Sequence, residues 1–248
     1  LPSIPMRKAL RAPFPAMLLC LLVLSPGCST KLSKQTGLTD AGLLSLGEKK
    51  ADQKKYSDAA EAFQLLIERF PNSPLAPRAH YGLAVNRMAN HDDAEAEVAF
   101  DDFLRLYPAD PKVPDALFLK GELLSRQVLK PGRDQTKTRE AIKAYSLFLE
   151  KAPSPPRSVE AAAKIRQLRG RLAAHEALVT TSYISRKHYE AAEARARRAL
   201  SEYPDVPEAP TLMSLLARAL EKEGKKEDAA QVRKALAEKY PDSGGAKR

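Results

Sequence analysis

Residues 56–71 read YSDAAEAFQLLIERFP, and this stretch decides the fold. Ala59 is followed four residues later by Phe63, and eight residues after that by Pro71. Ala59, Ala62, Phe63, Leu66 and Ile67 fall on one face of a 3.6-residue helix. Tyr56-Ser57-Asp58 makes the turn into that helix. The Pro71–Pro74 segment stops it, because proline cannot continue a helix and restricts the residue before it.

The same punctuation recurs outward from this stretch. The further instances are Ala96/Phe100/Pro108, Ala141/Tyr145/Pro153, Ala192/Ala196/Pro204 and Ala229/Arg233/Pro241. Phe70, Tyr107, Tyr203 and Tyr240 precede four of the five prolines. The last two instances lose the middle aromatic. No stretch after residue 28 alternates long enough to argue a sheet. The reading is an all-α chain, a right-handed α-solenoid of about five helical hairpins of the tetratricopeptide kind. Two proline intervals, 71 to 108 and 204 to 241, lie close to the 34-residue period of that repeat. The two between are longer. The polar stretch 130–136 interrupts the third hairpin, and Val159 to about Lys187 reads as one long helix. The fifth unit, 209–240, is charged on its outer face, as a capping repeat needs to be.

Stacked hairpins share a core and curve, so their first helices line a concave groove. Ala59, Ala96 and Ala141 let helices approach closely, and Phe63, Phe100 and Tyr145 fill the space between units. Register counted back from the prolines aims Leu44 and Glu48 at the first part of the groove. Arg78, Tyr81, Val85 and Met88 face the second part, and Phe118 and Glu122 the third. Mixed apolar and charged groups suit an extended peptide, with Met and aromatics adaptable and Arg able to fork onto a carboxylate. Leu44, Tyr81 and Val85 fit ordinary packing between repeats equally well.

The N-terminal segment reads as an address. Arg7, Lys8 and Arg11 precede an apolar run, Ala16 to Leu24, with the features of a signal peptide over residues 1–27. Residues 1–5 precede a plausible initiator, Met6, and suit a start site placed too early. Ser25-Pro26-Gly27-Cys28 resembles a bacterial lipobox, which makes Cys28 the expected site of a covalent N-acyl and S-diacylglycerol lipid. Residues 28–39 then form a lipidated tether, 40–243 the repeat domain and 244–248 a tail. Serine at position 29 implies export to the outer membrane in lipoproteins of this kind.

The formal charge is +10, of which +7 lies after residue 27. A basic surface suits a solvated helical face, anionic lipid or an acidic protein. No basic run is interleaved with aromatics, so nucleic acid is disfavoured. His175-Glu176 begins like a zinc-protease motif, but no second histidine follows at helical spacing. No metal or other cofactor is expected, and no enzyme: no phosphate-binding glycine loop or nucleophile elbow is present, and the length after the fifth unit leaves no room for a catalytic domain.

The address and the array together resemble the BamD family, tetratricopeptide lipoproteins of the outer-membrane β-barrel assembly machinery. Residues 56–71, 99–108, the Arg133-Asp134 loop, 171–176 with Tyr183, and 189–204 carry the likeness. The resemblance implies a lipid-anchored protein on the periplasmic face of the outer membrane. It implies that the N-terminal units receive unfolded outer-membrane protein precursors. It implies that the C-terminal units dock the periplasmic domains of a BamA-like barrel subunit, alongside other assembly lipoproteins. By position before Pro204, Arg195 matches a family arginine at that dock, and Arg133 and Asp134 are assigned with it. Pro26, Ala152, Ala196 and Arg233 depart from the pattern. A repeat lipoprotein of another envelope complex, such as a secretin pilotin or a cell-division or peptidoglycan coordinator, is the alternative.

Overall fold

The computed structural model describes residues 37–151 and 156–243. Cys28, the lipobox, Ala152, Pro153 and the 244–248 tail lie outside the described residues. Among the described residues ten α-helices pair as five hairpins: α1 (Asp40–Asp52) with α2 (Tyr56–Arg69), α3 (Ala76–Ala89) with α4 (Asp93–Leu106), and α5 (Val113–Arg126) with α6 (Thr136–Lys151). The fourth pair is α7 (Arg157–Ser185) with α8 (Tyr189–Glu202), and the fifth is α9 (Ala209–Lys222) with α10 (Lys226–Lys239). Each helix packs on the next in sequence, and α1 on α3, α3 on α5 and α7 on α9 as well. This is the all-α solenoid expected, with the first helices of the pairs forming one layer.

Local chemistry sets the boundaries. Thr39 caps α1, its hydroxyl oxygen accepting from the Gly42 N–H at 3.1 Å. Pro77, Pro114 and Pro210 stand in the first turns of α3, α5 and α9, where a missing N–H costs nothing. The aromatics before proline share one bent conformation: Phe70 (φ −131°, ψ 57°), Tyr107 (−128°, 56°), Tyr203 (−128°, 59°) and Tyr240 (−137°, 65°). Proline's ring keeps each of them out of the helical region. At the turns inside units one, two, four and five, one residue has positive φ: Lys54 at 58°, His91 at 64°, Lys187 at 64° and Gly224 at 87°.

Phe63, Phe100 and Tyr145 are buried, and the alanines at 59, 96, 141, 192 and 229 are completely so. The Phe63 ring fits between two backbones. A β-carbon at Gly47 of α1 or Gly82 of α3 would come within 2.8 Å of it. One continuous core runs from Leu43 through the first three units to Leu168 in α7. Beyond it lie three smaller clusters, rich in alanine: α7 shares two of them with α8 and α9, and the third joins α8, α9 and α10. The 29-residue α7, about 43 Å long, therefore has its first half in one core and its second half in another. Leu178, read from sequence as part of its apolar pattern, is 52% exposed.

Candidate functional site

The concave layer holds two hollows. The first, of about 330 Å³, is lined by Glu48, Arg78, Tyr81 and Val85, joined by Phe63, Asn86 and Lys112 among others. The second, of about 340 Å³, is lined by Met88, Glu122, Ser125, Arg126, Tyr145 and Lys164. Six of the eight residues expected in the groove thus line one hollow or the other. Tyr81, Val85 and Met88 recur at helical spacing along α3, so one helix face serves both.

Leu44 and Phe118 are corrections to the sequence reading, at 5% and 3% exposure. Leu44 belongs to the core. It lies in the half of α1 where the Ser73 hydroxyl, from the lead-in to α3, donates to Asp40 at 2.6 Å. Phe118 packs edge-on against Tyr145 (5.7 Å) and Phe148 (5.2 Å), and the Arg157 guanidinium covers its ring at 5.0 Å. Both sit on the expected helix, but their neighbours close over them.

A polar chain crosses the floor of the groove. The Tyr81 hydroxyl donates to Asp115, and Arg157 donates to the other oxygen of the same carboxylate. Three first helices, α3, α5 and α7, are tied in this way. Burial, then the hydrogen bond to Asp115, pushes the Tyr81 phenol well above its ordinary range. Burial also pushes the Asp115 carboxyl up, but hydrogen bonds from Tyr81 and Arg157 outweigh it and hold it below the ordinary value. Lys112 lies over the Tyr81 ring at 5.4 Å. At the rim, Arg78 reaches Glu48 at 2.6 Å with both side chains about half exposed, so a ligand can displace the pair at small cost. Sequence reading missed Asp115, Arg157 and Lys112. Asp115 and Arg157 stand 42 residues apart, and no short-range pattern joins them.

The second candidate surface lies on the later half of α7. Arg195 of α8 forks onto Glu176, Nε to Oε2 at 2.6 Å and Nη2 to Oε1 at 3.3 Å. The long loop between α5 and α6 rests on the same stretch of α7. Arg171 donates to the Leu129 carbonyl at 2.7 Å, and His175 Nδ1 meets the Pro131 carbonyl at 2.6 Å. Inside the loop, the buried Gln135 amide donates to the carbonyls of Lys130 and Arg133, both at 3.0 Å, and its oxygen accepts from Thr138. Asp134 caps α6, accepting from the Thr136 N–H at 2.9 Å and from its hydroxyl, which lowers its carboxyl pKa. Arg133 is exposed, and its side chain has no partner among the described residues. Arg195 and the Arg133-Asp134 loop are therefore seated on adjacent residues of one helix, Glu176 and His175.

Among the described residues no group of His, Cys, Asp and Glu has the geometry to hold a metal ion. No described helix is long and apolar enough to cross a membrane.

A family model described as YfiO, "Outer membrane lipoprotein", matches residues 38–243. The chain is 26% identical over 202 residues to the "Outer membrane protein assembly factor BamD" of Neisseria meningitidis serogroup A / serotype 4A, covering 77% of this chain and 76% of that one. It is 24% identical over 228 residues to the protein of the same name from Rickettsia prowazekii, covering 92% and 91%. A third relative so named, from Caulobacter vibrioides, is 24% identical over 87% of this chain and 72% of that one.

Proposed function

The chain belongs to the YfiO family of outer membrane lipoproteins, and from that premise we propose that it is a non-catalytic scaffold of the β-barrel assembly machinery. Its relatives are named as outer membrane protein assembly factors. In this reading the concave groove of units one to three receives extended segments of unfolded outer-membrane protein precursors. The α7–α8 surface, with Arg195 and the Arg133-Asp134 loop, docks the periplasmic part of a barrel-forming subunit. A lipid on Cys28 holds the protein at the periplasmic face of the outer membrane, and residues 29–39 act as its tether.

The observation that carries the reading is the pair of hollows along one face of α3. Apolar walls at Phe63, Tyr81, Val85 and Met88 stand beside charged groups of both signs at Glu48, Arg78 and Glu122. That mixture suits an extended, amphipathic peptide rather than a small molecule. One fixed hydrophobic slot would be too selective for many precursors.

Three measurements test it. Photo-cross-linking from Val85 and Met88 in cells should yield adducts with nascent outer-membrane proteins, and adducts with none of them would remove the groove assignment. A pull-down of the tagged chain from membranes should recover a barrel-domain protein, and Arg195→Glu should reduce that recovery at least tenfold. Cys28→Ser should release the protein from membranes.

A further inference from the structure

Asn86 of α3 is buried, at 5% exposure, yet it lines the first hollow of the groove. Its Nδ2 donates to the Gly82 carbonyl of its own helix at 2.8 Å. That bond fixes which way the amide faces, because a carbonyl oxygen accepts only from a donor. Oδ1 is therefore turned away from Gly82. No described residue donates to it, and it is not sealed from the hollow. Gln135, the other buried amide among the described residues, uses both its nitrogen and its oxygen within the protein. The two cations in the wall of the hollow are engaged elsewhere, Arg78 with Glu48 and Lys112 over the Tyr81 ring.

For folding alone, asparagine is a poor choice at this position. It favours a helix less than alanine or leucine does, and a buried acceptor left empty costs stability. The walls around it are apolar at Ala51, Phe63 and Val85. A hydrogen bond made to Oδ1 there is shielded from water and correspondingly strong.

We propose that Asn86 Oδ1 accepts a main-chain N–H from an extended peptide lying in the groove. This assignment rests on the peptide-binding reading of the groove and adds the atom that holds the peptide in register. An extended chain turns alternate N–H groups toward the same edge, so one fixed acceptor selects between registers. Every residue but proline supplies the donor. Recognition through this atom therefore leaves the peptide's sequence free, while the apolar walls and the Arg78–Glu48 rim take the flanking side chains.

The test measures binding by fluorescence anisotropy, with the full chain purified from membranes in detergent. The probe is a fluorescein-labelled peptide of about ten residues, copied from one transmembrane strand of a β-barrel outer-membrane protein. Analogues replace each backbone amide in turn by an ester, which removes one N–H and leaves every side chain in place. On the wild-type chain one ester should weaken binding about tenfold. Asn86→Ala should bind the parent peptide about tenfold more weakly, and the same ester should then cost less than about twofold more. Asn86→Leu should melt at or above the wild-type temperature and show the same lost sensitivity. If no ester weakens binding to the wild-type chain, or if the sensitive ester weakens it equally on Asn86→Ala, the assignment is overturned and the groove reading stands. If both variants bind the parent peptide as tightly as the wild type, Oδ1 serves only to hold water, and the assignment is again overturned. If the wild-type chain does not bind the parent peptide, the groove reading fails and the assignment falls with it.

Discussion

The ring of Phe63 stands so close to Gly47 that a β-carbon there would come within 2.6 Å of its Cε1. Gly82 meets the other side of the ring at 2.8 Å. The aromatic that marks the first unit therefore works as a spacer between α1 and α3, and those two glycines set how closely the helices approach. Ordinarily alanine stabilises a helix by roughly 1 kcal/mol over glycine. Here the ring is only 3% exposed and is held between Gly47 and Gly82, so it has little room to give way and the clash reverses the sign. Gly47→Ala and Gly82→Ala should each destabilise the protein by about 1–3 kcal/mol in urea melts. Adding Phe63→Leu should recover part of that loss. Gly121, whose added β-carbon would lie 2.7 Å from Tyr145, should behave in the same way in unit three.

The recurring alanine, aromatic and proline could be read from sequence because each acts within a few residues of itself. Alanine leaves room on a helix face, and proline ends a helix wherever it stands. The long α7 and the polar third-unit loop were legible for the same reason. Which first-helix residues stay open was less so. Leu44 and Glu48 share a stripe of α1, yet Leu44 is covered and Glu48 is not. Covering depends on how far α3 leans over α1, which Asp40 and Ser73 help to fix from 33 residues apart. The Tyr81–Asp115–Arg157 chain depends likewise on three helices meeting, and no local spacing announces it.

That chain should make the groove sensitive to pH at both ends of the scale. The Asp115 carboxyl titrates below its unfolded value, so its contribution is complete above the ordinary carboxylate range. It fades as pH falls through the lower, folded value. The Tyr81 phenol titrates above its unfolded value, so its contribution is complete below about pH 10 and fades as pH rises beyond it. Asp115→Asn should cost about 2 kcal/mol at neutral pH, the scale of hydrogen bonds to a charged group. It should also flatten the acid limb of the stability profile, measured by thermal melts from about pH 2 to 6. An unchanged acid limb would mean that other carboxylates dominate it.

Gln135 is the anchor of the loop that rests on α7. Its side chain satisfies two loop carbonyls and takes a hydrogen bond from Thr138, all within a buried site. Gln135→Ala takes the amide from both carbonyls, of which Lys130 keeps only the Arg133 N–H, removes the acceptor of the Thr138 hydroxyl and leaves a void, at a cost of about 1–3 kcal/mol. The loss should be local. Amide exchange should rise at residues 130–136, whereas the α1–α4 helices should keep their protection. Binding at the α7–α8 surface should fall with it, since the loop is part of that surface in the proposed function.

The turns inside the hairpins make a last test, because they separate backbone strain from packing. Gly224 has φ of 87° and open space around the position of a β-carbon, so Gly224→Ala meets no neighbour. Its cost is conformational alone, about 1 kcal/mol for an L-residue held in the left-handed region. Lys54, His91 and Lys187 already bear that strain at the equivalent turns of units one, two and four. Replacing one of them with glycine removes it but adds freedom to the unfolded chain, which offsets much of the gain. His91→Gly should therefore change stability by less than about 0.5 kcal/mol while Gly224→Ala costs about twice that. If Gly224→Ala proves neutral in chemical denaturation, the fifth turn relaxes to a right-handed conformation and α10 is not held in register by it.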